Sequence, residues 1–386
     1  MANTFKFGNG EWAVGKETAL AYNDENNNFK PLPFSFDRAS TATVVNKNGL
    51  IDTVGVDEPR IDFLNNTKGH LLLEPSRSNL ITDYTGAGFS AFNGASITAN
   101  DSTSPDGSTN ATLITTTGGA NELIQQAGIS ISSGQSYTVS GYFKLKSGTL
   151  SDPDNAFKGL DGLNGGGITG STFNSTLTSE WQRLSFTVTS STTSGRVQIK
   201  CEDAAEILVW GLQVELGSYA TSIIPTSGSA VTRNNEDISL TFPDNASFNS
   251  SNGFSLYGEL LTNGGNGASP IAISFNTNVL GYFGFGHNSL TWRARVNDGT
   301  DNELHTSSAS ILSVGKLALS FDASGFSMYA NGTSFASGNT DLGANTSVDN
   351  ITFRNNTEEF GSLQIRELKL YNDRLSDSEL QALTTI

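Results

Sequence analysis

Apolar residues recur at every second position in short runs along nearly the whole chain, and Gly, Asn, Asp or Ser closes each run. "QSYTVSGYFKLKSG", "WQRLSFTVTS", "GRVQIKC" and "EILVWGLQVELG" all have this form. A period of two is that of a β-strand with one covered face, so Tyr137 and Val139, like Phe186 and Val188, point inward together. Strands of this kind bury their apolar faces against a second sheet, which predicts an all-β chain of the sandwich (jelly-roll) type. Composition agrees: charged residues make up 16% of the chain against about 25% on average, and glycine, at 41 of 386 residues, exceeds its usual share of about 7%.

One stretch breaks the pattern. In "RLSDSELQAL", Ser376 and Glu379 have the spacing of a capping box, and Leu375 and Leu380 stand at the staple positions around it, so a short helix is predicted there. The strand before it, "SLQIRELKLYN", carries Leu363 and Ile365 on one phase and Leu368 and Leu370 on the other. A β-bulge near Arg366 or Glu367 would bring the four back to one face.

Changes in texture divide the chain into residues 1–79, 80–232 and 233–386. The first region is the most irregular: an alternating arm "FKFGNGEWAVGK", a polar loop "NDENNNFKP", then "FDRASTATVVNKNGLID", "DEPRIDF" and "HLLLEPSRSNLI". Its Arg38, Arg60 and Arg77 are matched in number by Asp37, Asp62 and Glu74, which suggests planar, two-point ion pairs bracing a small core, a structural role preferred over ligand binding. The second region holds the four strands quoted above. The third contains "FSLYGEL", "GYFGFGHNSLTWRARVNDGTDNELHTSS" and "GKLALSFDASGFSMYANGTSFASG", with hairpin signals at "VNDGTDN" and "YANGTSF". No internal repeat is visible, which argues against a solenoid or propeller.

These texts carry resemblances. The ordered pieces "RAS-AT", "PR-DF" and "LL-EPSR-NL" resemble a segment recurrent in bacteriophage virion proteins. The tail "WGLQVELGSYATSIIPTSGSAVTRNNE" resembles the ending of carbohydrate-binding-module-like jelly rolls of phage tails and fibres. The third region resembles a concanavalin A-like (laminin G-like) sandwich, a family whose chains end on such a strand and short helix. The resemblance implies a virion-attachment segment at 1–79 followed by two β-sandwich domains, 80–232 and 233–386, with the helix plugging one open end of the last. It implies an externally displayed, fibre-like appendage that binds host surface polysaccharide, forms a homo-oligomer (a trimer by analogy) and contacts other virion proteins through residues 1–79. A capsid or tail decoration protein with purely structural sandwiches is the alternative, and a polysaccharide depolymerase ranks last.

Charge and motifs narrow the chemistry. A net charge of -16 disfavours nucleic acid and anionic membranes. No apolar run approaches a membrane span, and "MANTFKFGNGEW" lacks the basic and apolar parts of a signal peptide, so synthesis in the host cytoplasm and residence in the virion are expected. Cys201, the lone cysteine, lacks a cationic setting and reads as an inert thiol. The acid-rich "CEDAAE" and "NDGTDNE" do not present paired carboxylates as a glycosidase would: Glu202 and Asp203 are adjacent, and Asp298 and Asp301 fall in a hairpin loop, so no catalytic residue is assigned. His70, His287 and His305 lack metal-ligand spacing. Structural Ca²⁺ is compatible with the resembled families, though nothing in the sequence locates it. The sequons, such as "NAT" and "NGT", follow from an Asn-, Ser- and Thr-rich composition.

Among aromatics, Trp181 and Trp210 lie in apolar strands and read as core, and Trp12 belongs to the arm. In "TWRARVN", Trp292, Ala294 and Val296 share one face and Arg293 and Arg295 the other. Alternation favours a buried Trp292. The alternative is a ligand surface of Tyr282, His287, Trp292, Arg293 and Arg295, where a sugar ring would stack on the indole.

Overall fold

The strand Ser362–Tyr371 organises the C-terminal half of the protein. In the computed structural model it pairs on one side with Phe254–Asn263 along its whole length. Glu259 faces Glu367 and Leu260 faces Ile365, so Arg366 is the extra residue of a bulge. That is the slip the alternation requires: Leu363, Ile365, Leu368 and Leu370 are all buried. The structure describes residues 4–10, 12, 14–15, 18–19, 22–23, 34–159, 170–172, 177–241, 248–249, 253–263, 272–275, 284–288, 291–297, 302–310, 314–322, 324–339, 347–348, 350–354, 362–371 and 373–386.

On its other side the same strand takes two partners from the start of the chain. Thr4–Gly8 pairs with its second half, from Thr4 opposite Tyr371 to Gly8 opposite Glu367. His70–Leu73 pairs with its first half, Leu73 opposite Leu363 and Leu71 opposite Ile365. Gly8 lies beside the bulge with φ +99°, where a Cβ would sit 2.2 Å from the Arg366 carbonyl oxygen, so only glycine fits. A second sheet runs Ala272–Phe275, Asn350–Arg354, Asp237–Thr241, Phe34–Asp37, with Phe36 opposite Ile238 and Asp37 opposite Asp237. The N-terminal region therefore supplies strands to both of these sheets.

The division differs from the three regions read along the sequence. One unit comprises residues 1–47, 54–76 and 234–386, and the other residues 48–53 and 77–233. Residues 1–79 do not stand apart, because strand pairing is set by sheet register and is indifferent to distance along the chain.

The helix Asp377–Thr384 starts as predicted. Ser376 caps it, its amide donating to Glu379 Oε2 at 2.8 Å and its hydroxyl accepting from the Glu379 amide at 3.4 Å. It does not plug an open end. Leu380 is fully buried against Tyr257, Ala318 and Tyr329, with Leu375 alongside. Those three residues form one row across the strands, Tyr257 opposite Ala318 and Ala318 opposite Tyr329. Leu256, Leu319 and Met328, on the other face, are buried too, so a sheet apolar on both faces needs a second cover, which the helix provides. The "YANGTSF" turn forms as expected between Gly325–Ala330 and Thr333–Gly338, with Asn331 at φ 48° and Gly332 at φ 78°.

The register of Asp37 against Asp237 also places Arg38 next to Glu236. Glu236 Oε1 accepts from Arg38 Nη1 at 3.0 Å and from Arg60 Nε at 2.6 Å, while Oε2 accepts from Arg60 Nη2 at 2.6 Å and from the Glu74 amide at 2.7 Å. Glu74 pairs with Arg60 Nη1 at 2.9 Å. All four side chains are buried. Burial alone would lower the Arg60 pKa, but the carboxylates of Glu236 and Glu74 outweigh it and raise it. The Arg60–Glu74 pair matches the ion pairing expected from the first region. Asp62 instead accepts the amides of Val45 at 3.0 Å and Leu64 at 2.7 Å, Asp37 is exposed, and Arg77 lies over the Tyr219 ring.

The unit of residues 77–233 is a two-sheet sandwich. One sheet runs Ser90–Phe92, Leu123–Ser130, Ser194–Lys200, Ala156–Gly159, Gly170–Thr172; the other runs Ser96–Ser102, Ala111–Thr117, Ala204–Leu216, Ser136–Gly148, Gln182–Thr189. Between them lie Ile124, Phe157, Val197 and Ile199 from the first and Ile114, Val139, Phe143, Ile207, Val209 and Val214 from the second. Cys201 belongs to this core, and burial pushes its thiol pKa up, as suits an inert cysteine.

Candidate carbohydrate-binding face

The outer faces of the two sheets of the central unit differ. On the second sheet, Trp210, Gln213 and Glu215 are each 1% exposed or less. Trp210 is boxed by Tyr84 and Tyr142 at ring distances of 5.3 and 5.9 Å. The chain after that strand folds back over it: the Thr221 amide donates to Glu215 Oε2 at 3.0 Å, and the Ile224 amide donates to Gln213 Oε1 at 2.7 Å. This face is filled by the protein itself.

On the first sheet the outward positions form cross-strand rows. Ser90 lies opposite Gln125, Gln125 opposite Gln198, and Gln198 opposite Lys158. The next row runs Phe92, Leu123, Lys200, Ala156, and Arg196 stands opposite Ala127 on the far side. Gln198 Nε2 donates to Gln125 Oε1 at 2.8 Å. That bond uses one amide group of each side chain and leaves the Gln125 amide nitrogen and the Gln198 carbonyl as one further donor and one further acceptor, at a position where Gln125 is half-buried and Gln198 is 6% exposed. Phe92, 40% exposed, adds an apolar surface at the edge. A row of amides flanked by an aromatic ring and cations can bind polyols: amides for hydroxyls, the ring for the apolar face of a sugar.

Acids cluster at one corner. Asp152, Asp154 and Glu202 have carboxylate oxygens within 4.8 Å of one another. The Lys200 ammonium already lies among them, 3.0 Å from Glu202 Oε1 and 3.4 Å from Asp154 Oδ2. Burial works against its charge, but Glu202 and Asp154 outweigh it and raise its pKa. An ammonium in that place neutralises the oxygens a Ca²⁺ would need, so the trio does not fit a metal site. Asp203, held by the amides of Asp152 at 2.9 Å and Ser151 at 2.6 Å, has its pKa lowered to about 2, and the Asn121 amide and Lys200 lower that of Glu202. Both carboxyls are thus held ionised, the reverse of what a general acid requires.

Of the site residues expected from sequence, His287 and Trp292 are opposed in register across the hairpin Gly284–Asn288 / Thr291–Asn297. Arg293 stands opposite Gly286, and Arg295 opposite Gly284. Tyr282 lies outside the described residues. Among the other tryptophans, Trp210 is core as expected. Trp181 is only partly buried and donates to the Thr103 carbonyl at 3.2 Å; Trp12 donates to the Lys68 carbonyl at 2.9 Å. In the sequence, two glutamines at strand positions look like any solvent-facing residues. Alternation marks Gln198, which stands between the core residues Val197 and Ile199, whereas Gln125 has a core residue, Ile124, on one side only.

Residues 81–204 match the family model described as a carbohydrate binding domain, a span that contains every residue of this face. No curated protein matches the chain. Among solved structures, it is similar to botulinum neurotoxin type C (16% identity, TM-score 0.33, 39% of this chain and 40% of that one). It is also similar to the binding domain of Paraclostridial Mosquitocidal Protein 1 (12% identity, TM-score 0.32, 40% and 43%). A third likeness is to the CBM40 of Ruminococcus gnavus IT-sialidase (16% identity, TM-score 0.29, 38% and 97%). The likeness thus spans about two fifths of the first of these solved chains, and likenesses this low carry no argument about function.

Proposed function

We propose that the chain is a glycan-binding protein without catalytic activity, and that its sugar site is the outer face of the first sheet of the central sandwich around Gln125 and Gln198. The carrying observation is the coincidence of the carbohydrate binding domain match over residues 81–204 with a sheet face that carries the Gln125–Gln198 amide pair. The lowered pKa values of Glu202 and Asp203 speak against either as a general acid. The resemblance of the "RAS-AT", "PR-DF", "LL-EPSR-NL" series and of the tail after Trp210 to phage virion proteins extends the reading. The protein is an appendage displayed outside a bacteriophage particle, and it binds host surface polysaccharide weakly. Many copies, as a homo-oligomer, turn weak sites into firm adhesion.

Affinity electrophoresis against a panel of bacterial and plant polysaccharides tests the site. The whole chain is expected to be retarded by at least one glycan without shortening it, and Gln125→Ala with Gln198→Ala to lose most of that retardation at an unchanged melting temperature. Retardation that survives both substitutions would move the site elsewhere, and none on any glycan would leave a decoration protein with structural sandwiches. Antibody labelling of intact particles against residues 77–233, with an adsorption assay, tests the virion reading: absence of label from particles removes it.

A further inference from the structure

We infer that this face is selective for an acidic glycan, one bearing carboxylate groups, and that Lys158 and Arg196 recognise its charge. The inference rests on the reading of the face as a sugar site and adds the class of sugar.

The chain has 38 acidic residues against 22 Lys and Arg, so cations are the minority charge. Some are bound to carboxylates: Lys146 to Asp101, Lys200 to Glu202 and Asp154, Lys369 to Glu367, Arg366 to Glu259, and Arg374 to Asp322. Lys158 and Arg196 are not, and they share a face. Among the described residues no carboxylate reaches either, and the buried Nε of Arg196 has no acceptor.

Their placement is specific. Lys158 lies opposite Gln198, and Arg196 is two residues from Gln198 on the same strand, hence on the same face. This diagonal relation separates the two by roughly 7–8 Å at the backbone. The hydrogen-bonded amide pair of Gln125 and Gln198 belongs to the same rows. A chain of sugars crossing this sheet would meet amides for its hydroxyls and two cations for its acid groups. Arginine's planar fork matches a carboxylate in a two-point contact, which a neutral sugar cannot supply. The protein's net charge of -16 repels an anionic polymer at long range, so attraction must come from this local pair.

The test is isothermal titration of the whole protein with polygalacturonate, alginate, hyaluronan and polysialic acid, beside methyl-esterified polygalacturonate, dextran and xylan. Expected is binding of at least one carboxylated glycan, about tenfold or more tighter than the neutral members, weakened by about tenfold in Lys158→Gln and in Arg196→Gln at unchanged melting temperatures. Equal or tighter binding of neutral glycans, indifferent to both substitutions, overturns the inference and leaves the sugar site standing. Acidic binding that persists undiminished in Lys158→Gln/Arg196→Gln also overturns it, because the charge would then be read elsewhere. No binding to any member by the unaltered protein removes the sugar reading together with the inference.

Discussion

Glu236 shows how one side chain can hold the partners of three chain segments. Its two oxygens serve Arg38, Arg60 and the Glu74 amide, all in a buried setting. A buried pair is not a strong net source of stability, but removing one partner strands the others without water. Glu236→Gln is therefore expected to cost about 3–5 kcal/mol, read as a lowered urea midpoint; a change under about 1 kcal/mol, the scale of a surface pair, would sink the account. His70 offers a second test. It is 1% exposed, and among the described residues neither ring nitrogen has a hydrogen-bond partner. Burial first, and then the Arg366 and Arg60 charges, lower its pKa to about 4 against Glu74, which raises it; Asp62 Oδ1 lies 3.8 Å away. Above pH 6.5 the imidazole is neutral whether folded or unfolded and exerts no pH effect. Between 6.5 and about 4 the unfolded chain binds a proton that the folded one does not, so stability falls with pH, by on the order of 3 kcal/mol in all. Urea titrations at pH 7, 5.5 and 4 should show that slope, and His70→Leu should flatten it; an equal slope in the variant would assign the effect to other groups.

At the scale of elements, what is local was readable from sequence and what depends on register was not. The capping box at Ser376 and Glu379 and the bulge at Arg366 are written within a few residues, and both form. Glu236 as the partner of Arg38 and Arg60 follows from pairing Phe34–Asp37 with Asp237–Thr241, about which a periodic pattern is silent. The candidate face of the central sandwich depends on register in the same way. An aromatic residue such as Trp292 stands out in the sequence by itself, whereas Gln125 and Gln198 acquire meaning only when Leu123–Ser130 and Ser194–Lys200 lie side by side. The helix is the element whose worth is simplest to measure. Ser376→Ala removes the cap and is expected to cost about 1 kcal/mol. Leu380→Ala empties a fully buried site between Tyr257, Ala318 and Tyr329 and is expected to cost about 2–5 kcal/mol. Calorimetry that finds the two equal would mean that the helix merely caps itself and does not cover the sheet.

On the scale of the whole molecule, chain order and fold order disagree, and this sets which pieces can fold alone. Residues 77–233 carry both sheets of the central sandwich and its core, in a span whose length suffices to bury one. That fragment is expected to melt cooperatively and to keep its glycan binding. Residues 234–386 look like a domain in sequence, yet alone they lack Thr4–Gly8 and His70–Leu73, leaving the Ser362–Tyr371 edge unpaired. They also lack Arg38 and Arg60, so Glu236 would be buried without its cations or exposed by unfolding of its surroundings. This fragment is expected to aggregate or remain non-cooperative in circular dichroism melts, and co-expression with residues 1–76 as a separate chain is expected to restore a soluble, cooperatively melting complex. A fragment 234–386 that folds alone with the full chain's C-terminal transition would mean that the N-terminal strands are decoration. A fragment rescued by residues 1–76, but not by the same peptide carrying Arg38→Met and Arg60→Met, would show the ion cluster to be what joins the segments, with the strand edges contributing too little on their own.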